Sequence, residues 1–315
     1  MKRFLTNEDV KVLYMGTPEM SSRVLEALVQ GGYNVVGLVC QEDKEVGRHH
    51  RIEKVPTKCV AEKYGIPVFQ PHRIRLDYEF AKKLDFDVIV TMAYGQIIPQ
   101  ALLDMSHIGN VNLHGSILPA YRGAAPIQRA IMNDEKETGI TLMEMVALMD
   151  AGDIYDVEKT KINDNDTYTS LGKRLSEIAA SLITKDLLPY ANHELLAKKQ
   201  EESKVTFANK IQPEEEHIPL SLNVEATSCY IRGLSEDPGA YLLLEGKKIK
   251  IYDAKVFSYE KCGEIGTVVP NKKHFLLQLS DGILELLSVQ VEGKKRMDGA
   301  SFLQGAHLPL LAIFH

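Results

Sequence analysis

The sequence predicts an α/β fold in which a Rossmann-like, mostly parallel sheet is followed by a smaller domain of short strands. Up to residue 190, apolar runs without alternation are separated by helical patterns, as expected for parallel strands covered on both faces. Beyond that point, short β-like runs follow one another between turn residues, a spacing typical of a small barrel or sandwich. We therefore expect a first domain at 1–190, a linker at 191–212 and a second domain at 213–315.

The strands of the first domain are short apolar runs that end at Gly, Pro or a polar loop. We assign them to 11–16, 34–40, 66–69, 86–93, 109–114, 139–145 and 154–160. The helical segments place apolar residues on one face, as Val24, Leu25 and Leu28 do within 19–30. The remaining helices are assigned to 56–64, 79–83, 99–105, 125–132 and 170–188. The polar stretch 41–55 is expected to be an exposed loop.

The segment between the domains is rich in Lys, Glu and Gln, as a linker would be. After it we predict a helix at 223–233. The short strands that follow are assigned to 239–244, 248–256, 263–269, 275–279 and 283–290.

Composition excludes several classes of protein. The chain is 44% hydrophobic and 25% charged with a net charge of −6, which argues against a uniformly basic nucleic-acid coat. The four cysteines are scattered without a CxxC pair, so we expect free thiols and no metal site. The start lacks the apolar core of a secretory signal, and no apolar run is long enough for a membrane span. We expect a cytoplasmic protein without membrane contact.

Asn112 and His114 occupy alternate positions at the end of strand 109–114, directly before a turn containing Gly, Ser and Pro. Side chains two apart share a face of the strand, and open α/β sheets bind ligands at the carboxyl ends of strands. An amide and an imidazole that converge there could hold an oxyanion. The same pattern also fits an Asn that caps a turn and a His that satisfies a backbone carbonyl.

A carboxylate partner is expected in the loop after strand 139–145, which reads MDAGD. Asp150 or Asp153 would orient the imidazole or accept a proton there. Spacing does not choose between the two, and either also fits an ordinary turn.

A dinucleotide is the obvious rival ligand for such a sheet. The first strand-to-helix turn, at 16–20, lacks Gly-x-Gly-x-x-Gly, and Pro18 removes an N–H that would face a pyrophosphate. We therefore expect no NAD. Basic clusters instead favour contact with phosphates of a nucleic acid, although each cluster also fits a solvated surface. They comprise Lys247, Lys248 and Lys250, then Lys272 and Lys273, then Lys294, Lys295 and Arg296, and the run 48–51.

The stretch 112–129, NLHGSILPAYRGAAPIQR, resembles the signature of the folate-dependent formyltransferases. The variant RGAAPIQRA is most similar to the branch of that family that formylates methionyl-tRNA. The likeness extends along nearly the whole chain, in the family's order, through MGTP (15–18), VAEKYGIPVFQP (60–71), AYGQIIP (93–99), ETGIT (137–141), TFANKI (206–211) and DGILELLSVQVEGKKRM (281–297).

The resemblance implies that the second domain is an OB-like barrel that helps to hold tRNA. It implies that the α-amine of methionyl-initiator tRNA attacks the formyl carbon of 10-formyltetrahydrofolate. Asn112 and His114 would stabilise the resulting oxyanion, and Asp150, which matches the family carboxylate in D-x-G-D, would position His114. We expect a monomer that uses no metal.

The resemblance also implies binding residues. Folate would pack against the turn of Ser116, Ile117, Leu118 and Pro119 and against the segment that contains Tyr94, Gly95 and Ile97. Transfer RNA would contact Arg48, in the loop 41–55 that matches the family's tRNA-reading insertion, together with Lys294, Lys295 and Arg296.

The chain departs from the family pattern at Glu236 and Asp237, where a Pro-Trp element is usual, and it contains no Trp. Two alternatives remain. The first is a formyltransferase that acts on a small amine, such as an amino sugar or a purine precursor. The second is a tRNA-binding protein without catalysis, which the joint presence of Asn112, His114 and Asp150 disfavours.

Overall fold

The computed structural model describes residues 3–46, 51–305 and 312–315. The packing divides the chain into two compact units that are each built from separate stretches. The first unit comprises 1–124, 138–160 and 172–208, and the second comprises 125–137, 161–171 and 209–315. Residues 191–208 of the expected linker thus pack with the first unit, whereas two stretches of the expected first domain pack with the second.

The described strands and helices follow the predicted order closely. The strands are β1 (Lys11–Gly16), β2 (Asn34–Val39), β3 (Lys44–Val46), β4 (Arg51–Glu53), β5 (Val68–Phe69), β6 (Val88–Met92), β7 (Gly109–His114), β8 (Glu137–Glu144), β9 (Ile154–Lys161), β10 (Ala240–Leu244), β11 (Lys247–Ser258), β12 (Val268–Val269), β13 (Leu276–Gln278), β14 (Ile283–Val291) and β15 (Met297–Asp298). The α-helices are α1 (Glu19–Gln30), α2 (Pro56–Lys63), α3 (Gln100–Leu103), α4 (Pro126–Met132), α5 (Tyr168–Ala191), α6 (Val224–Leu234) and α7 (Gly299–Gly305).

The first unit is built on a seven-stranded sheet with the order β5-β2-β1-β6-β7-β8-β9. The pairs from β5 to β7 are all parallel, and β8 runs antiparallel to β7. Strands β1 and β6 are almost wholly buried, as the lack of alternation in their sequences predicted. The prediction of a Rossmann-like, mostly parallel sheet is confirmed.

Close contact between β1 and α1 explains the glycine that ends β1. A Cβ atom on Gly16 would lie 1.7 Å from Ser21 Oγ on α1 and 2.7 Å from the backbone carbonyl oxygen of Met92 on β6, and the backbone oxygen cannot turn aside as the serine hydroxyl can. On α1 the predicted apolar face is buried through Val24, Leu25 and Leu28.

The stretch 41–55 is not the plain loop expected from its polarity. Its arms pair as an antiparallel hairpin of β3 and β4, in which Lys44 lies opposite Glu53. Asp43 fastens the base of the hairpin, because its carboxylate accepts the Val55 amide proton at 3.3 Å and contacts Lys58 Nζ at 2.5 Å. Opposite charges across strands and a fixed base stabilise a hairpin whose composition alone suggests a loop.

The second unit carries an antiparallel sheet with the order β10-β11-β14-β13-β12, to which β15 adds through β14. The end of the chain joins its two edges, because Phe314 bridges Leu244 at the β10 edge and Ile313 bridges Thr267 beside β12. Joining both edges curls the sheet, as expected for the predicted OB-like barrel. Helix α6 packs its buried residues, including Ile231 and Leu234, into the same apolar core.

Some predicted lengths differ from the structure. The predicted helix 99–105 is α-helical only over α3, and the predicted strand 263–269 is a regular strand only over β12. Gly266 has φ +86°, a left-handed conformation that interrupts a regular strand. Within the described ranges, no helix combines the length and apolarity that crossing a bilayer requires. In the same ranges, His, Cys, Asp and Glu do not gather in groups of three or more that would suit a metal ion.

Candidate active site

The candidate site lies at the carboxyl end of β7, inside the sheet of the first unit. Asn112 pairs with Thr91 of β6 on one side and Met143 of β8 on the other, so β7 is held from both edges. His114 is buried and Asn112 is half-buried. A strand with neighbours on both sides fixes the backbone from which the two side chains project.

Both ring nitrogens of His114 face a defined group. Nε2 lies 2.9 Å from the Tyr121 carbonyl oxygen, which can only accept, so Nε2 carries the proton of the neutral ring. Nδ1 lies 3.6 Å from Asp150 Oδ2. That distance is too long for a direct hydrogen bond but suits an ion pair once Nδ1 takes a proton. The ring is therefore arranged to accept a proton at Nδ1.

Of the two aspartates in the loop, Asp150 is the one whose carboxylate lies near His114. Its Oδ2 accepts the backbone N–H of Gly123 at 2.8 Å. The backbone of Asp153 instead accepts the Glu144 N–H at 2.8 Å and closes the loop. A Cβ atom on Gly152 would lie 2.0 Å from the Glu144 carbonyl oxygen, so the tight loop needs glycine there.

Two residues of the site have left-handed backbone conformations, which residues other than glycine rarely adopt. Tyr121 has φ 62° and Asp150 has φ 51°. Each such conformation costs on the order of 1–3 kcal/mol and persists only where the surroundings impose it. Tyr121 supplies the carbonyl that faces Nε2 of His114, and Asp150 supplies the carboxylate that faces Nδ1, so the strain lies at both partners of the imidazole.

Hydrogen bonds from the neighbouring strand β8 hold the turn Ser116 to Pro119, which is predicted to contact folate. Ser116 Oγ donates to the Ala120 carbonyl at 2.6 Å. Thr141 Oγ1 donates to the Ser116 carbonyl at 2.6 Å and accepts the Leu118 N–H at 3.2 Å. Ser116 and Leu118 are buried, whereas Ile117 and Pro119 are half-buried. Thr141 fixes this turn, although its position in β8 alone did not single it out.

The segment with Tyr94, Gly95 and Ile97 follows β6, so it lies at the same sheet edge as the turn after β7. The Tyr94 carbonyl accepts from Gln41 Nε2 at 2.8 Å. Gly95 has φ 86°, and a Cβ there would lie 2.3 Å from Gln41 Nε2. The buried Tyr94 hydroxyl has no hydrogen-bond partner within the described ranges, and burial raises its pKa. Ile97 is 55% exposed, which leaves an apolar side chain open at this edge.

The residues predicted to contact tRNA have different surroundings. Arg48 lies outside the described residues. Lys294 and Lys295 are exposed in the turn after β14. Arg296 is already engaged, because Nη1 contacts Glu236 Oε1 at 2.7 Å and the guanidinium lies 4.5 Å above the Tyr252 ring. It also lines a polar cavity of about 960 Å³ that is formed entirely by residues of the second unit.

Three side chains around the site escaped the sequence analysis. They are Thr141 in β8, Arg122 after the turn that follows β7 and Gln200 in the stretch expected to be a linker. Arg122 lies within the signature stretch 112–129, and that position is the sequence signal that could have drawn attention to it. Gln200 is one of several polar residues in its segment, and nothing in the sequence distinguishes it from its neighbours.

Comparisons with known proteins match both parts of the chain. A family profile described as formyl transferase matches residues 9–187, and one described as formyl transferase, C-terminal domain, matches residues 210–307. The N-formyltransferase of Helicobacter canadensis, solved with folinic acid and dTDP-3-aminofucose, superposes with a TM-score of 0.67 over 88% of this chain and 98% of its own, at 19% identity. At that identity the similarity shows the fold alone.

Sequence relatives are much more similar. The methionyl-tRNA formyltransferase of Lactobacillus acidophilus is 44% identical over 93% of this chain and 95% of its own length. That of Halalkalibacterium halodurans is 42% identical over 94% of this chain and 95% of its own. Because both domain profiles match and this identity covers almost the full length of both chains, the chain belongs to the methionyl-tRNA formyltransferase family.

Proposed function

We propose that this protein transfers the formyl group of 10-formyltetrahydrofolate to the α-amine of methionyl-initiator tRNA. The observation that carries the proposal is the His114–Asp150 pair, with 3.6 Å between Nδ1 and Oδ2, at the end of a strand in a chain of this family. Acyl transfer to an amine needs a group that removes a proton from the attacking nitrogen and donors for the oxyanion. His114 and Asn112 supply these two functions.

The first chemical step forms the bond between the methionyl nitrogen and the formyl carbon. The electrons of the carbonyl bond move to oxygen, and the attacking nitrogen loses its proton to Nδ1 of His114. Nε2 stays bonded to the Tyr121 carbonyl at 2.9 Å, so the ring keeps its orientation as it becomes an imidazolium. Asp150 stabilises that cation, and the half-buried amide of Asn112 donates to the oxyanion.

The second step breaks the bond between the formyl carbon and N10 of the folate. The oxyanion reforms the carbonyl, and N10 takes the proton from the imidazolium of His114. The products are N-formylmethionyl-tRNA and tetrahydrofolate, and His114 returns to its neutral form. The turn after β7, held by Thr141, and the segment after β6, held by Gln41, would form the walls against which the folate packs.

The test is a formyl-transfer assay with 10-formyltetrahydrofolate labelled in the formyl group. Separate reactions contain methionyl-initiator tRNA, methionyl-elongator tRNA or a nucleotide-linked amino sugar. We expect rapid labelling of the initiator tRNA and none of the sugar. Faster labelling of the sugar would contradict the choice of substrate, and retardation of tRNA on a gel without transfer would indicate a binding protein instead.

A further inference from the structure

Residues 198–208, here called the bracing segment, contact both groups that face the imidazole of His114. All of these residues belong to the first unit. At one end, Lys198 and Ile154 exchange two backbone hydrogen bonds of 2.8 Å each. Ile154 begins β9 directly after the loop that carries Asp150, so the bracing segment is tied to the far end of that loop.

Gln200 then joins the Asp150 loop to the turn after β7. Its Nε2 donates to the carbonyls of Asp150 and Gly152, both at 2.8 Å. Its Oε1 accepts from Arg122 Nε at 3.1 Å and from Nη2 at 2.9 Å. The side-chain amide uses both donor hydrogens toward the Asp150 loop and accepts two hydrogen bonds from Arg122, so together its four hydrogen bonds link two parts of the candidate site.

Arg122 connects Gln200 to the group that holds the other ring nitrogen. Its side chain is only 3% exposed and also pairs with Glu202 at 2.9 Å. Its backbone N–H donates to the Thr206 carbonyl at 2.9 Å, and its carbonyl accepts from Ala208 at 2.7 Å. Thr206 Oγ1 in turn accepts the Tyr121 N–H at 2.9 Å. The bracing segment therefore holds the peptide whose carbonyl, that of Tyr121, orients His114, because Thr206 accepts the N–H groups of both Tyr121 and Arg122.

We propose that Gln200 is a positioning residue that holds Asp150 and the Tyr121–Gly123 turn at the spacing that the imidazole of His114 requires. The kinetic test of this inference rests on the proposed function, because it measures the rate of formyl transfer. Asp150 and Tyr121 both have left-handed backbones, a conformation that persists where surrounding contacts impose it. Gln200 is the side chain that bonds to the first directly and to the second through Arg122.

Gln200→Glu separates the two functions of the amide. The carboxylate keeps an acceptor for Arg122, but it cannot donate to the Asp150 and Gly152 carbonyls. Displacement of a catalytic group by about 1 Å costs about 10²-fold in rate, so we expect kcat to fall by about that factor while both KM values stay within about threefold. The matched control is Glu202→Gln, since Glu202 contacts the same Arg122 with a side chain that is 74% exposed. Its kcat should stay within about twofold of the native value.

A second readout does not depend on activity. The Gly123 amide donates to Asp150 Oδ2, and the Ala208 amide donates to the Arg122 carbonyl within the same region. In Gln200→Glu we expect hydrogen exchange to accelerate at Gly123 by about tenfold or more and to change little at Ala208. Equal acceleration at both amides would mean general loosening and would overturn the proposal, as would unchanged kcat and exchange. Selective acceleration at Gly123 in a protein without formyl transfer would support the positioning and refute the proposed function.

Discussion

At the scale of single residues, the orientation of His114 determines the order of events that the site can support. Nε2 is committed to the Tyr121 carbonyl, so the neutral ring has no proton at Nδ1 to offer an oxyanion. In the proposed mechanism Asn112 is therefore the donor that is available when the tetrahedral carbon first forms. In the same mechanism His114 would contribute a charge only after it has taken a proton from the amine, and Asp150, 3.6 Å from Nδ1, would stabilise that charge.

Because Asn112 is proposed to donate to the oxyanion and His114 to accept the proton, loss of either side chain should slow the reaction. Asn112→Ala and His114→Ala should each lower kcat by about 10²–10³-fold, because each removes one group that acts only at the transition state. Folate affinity, measured by equilibrium binding, should change little. A variant that keeps native kcat would remove that residue from the mechanism, and a parallel decrease of folate affinity would indicate a binding role instead.

Thr141 is the second residue with a specific expected effect. Thr141→Val keeps the shape of the side chain but leaves the Ser116 carbonyl and the Leu118 N–H without their partner. Each unsatisfied buried group costs about 1–3 kcal/mol, so the free energy of unfolding should fall by at least about 2 kcal/mol in urea titrations. Thr141→Ser keeps the hydroxyl and is the control. Equal stability of the two variants would contradict the role of the hydroxyl.

At the scale of secondary-structure elements, an acidic pair joins β9 to α5 in the first unit. Asp156 on β9 contacts Lys185 Nζ at 2.7 Å, and its carboxyl faces Asp186 on α5. Burial raises the pKa of Asp186 from 3.8 to about 6, and the neighbouring Asp156 carboxyl adds to that rise. Although burial opposes it, the Lys185 ammonium helps to hold the pKa of Asp156 below its usual value.

The raised pKa of Asp186 predicts a pH dependence of stability. Between about pH 4 and pH 6 the folded state binds a proton that the unfolded state has released, so the free energy of unfolding should decrease as pH rises across this range and level off above about pH 6. Asp156 has already ionised in that window and adds no slope. In Asp186→Asn the decrease should be smaller, as measured by urea unfolding across this range. A variant with the native slope would show that another group titrates there.

At the scale of the whole molecule, the candidate chemistry belongs to the first unit, and the exposed lysines predicted to meet RNA belong to the second. The net charge of −6 makes general attraction to RNA weak, so the proposed binding of tRNA would depend on local patches. Lys294 and Lys295 are exposed in such a patch, whereas Arg296 already pairs with Glu236. We expect the two lysines to contribute more to RNA binding than Arg296 does.

Substitution of Lys294 and Lys295 by Met tests this expectation. Affinity for tRNA should fall, and the slope of its logarithm against the logarithm of salt concentration should decrease by about one for each phosphate that the lysines neutralise in the native protein. The same change at Lys82 and Lys83 of the first unit is the control for net charge. If both pairs of substitutions alter the slope equally, the effect comes from overall charge and not from this turn.

Sequence alone was sufficient for the parallel sheet and for the Asn112 and His114 candidates, because strand burial and side-chain alternation are local properties of β structure. Residue spacing left Asp150 and Asp153 as alternatives and the family resemblance favoured Asp150, but only the folded chain shows that Asp150 lies 3.6 Å from His114. The proton position on His114 and the contacts of Gln200 likewise came only from the folded chain. The decisive contacts join residues far apart, such as Arg122 and Gln200, which are separated by 78 positions. Hydrogen bonds at that separation depend on how loops pack against each other, and the spacing of residues along the chain does not predict that packing.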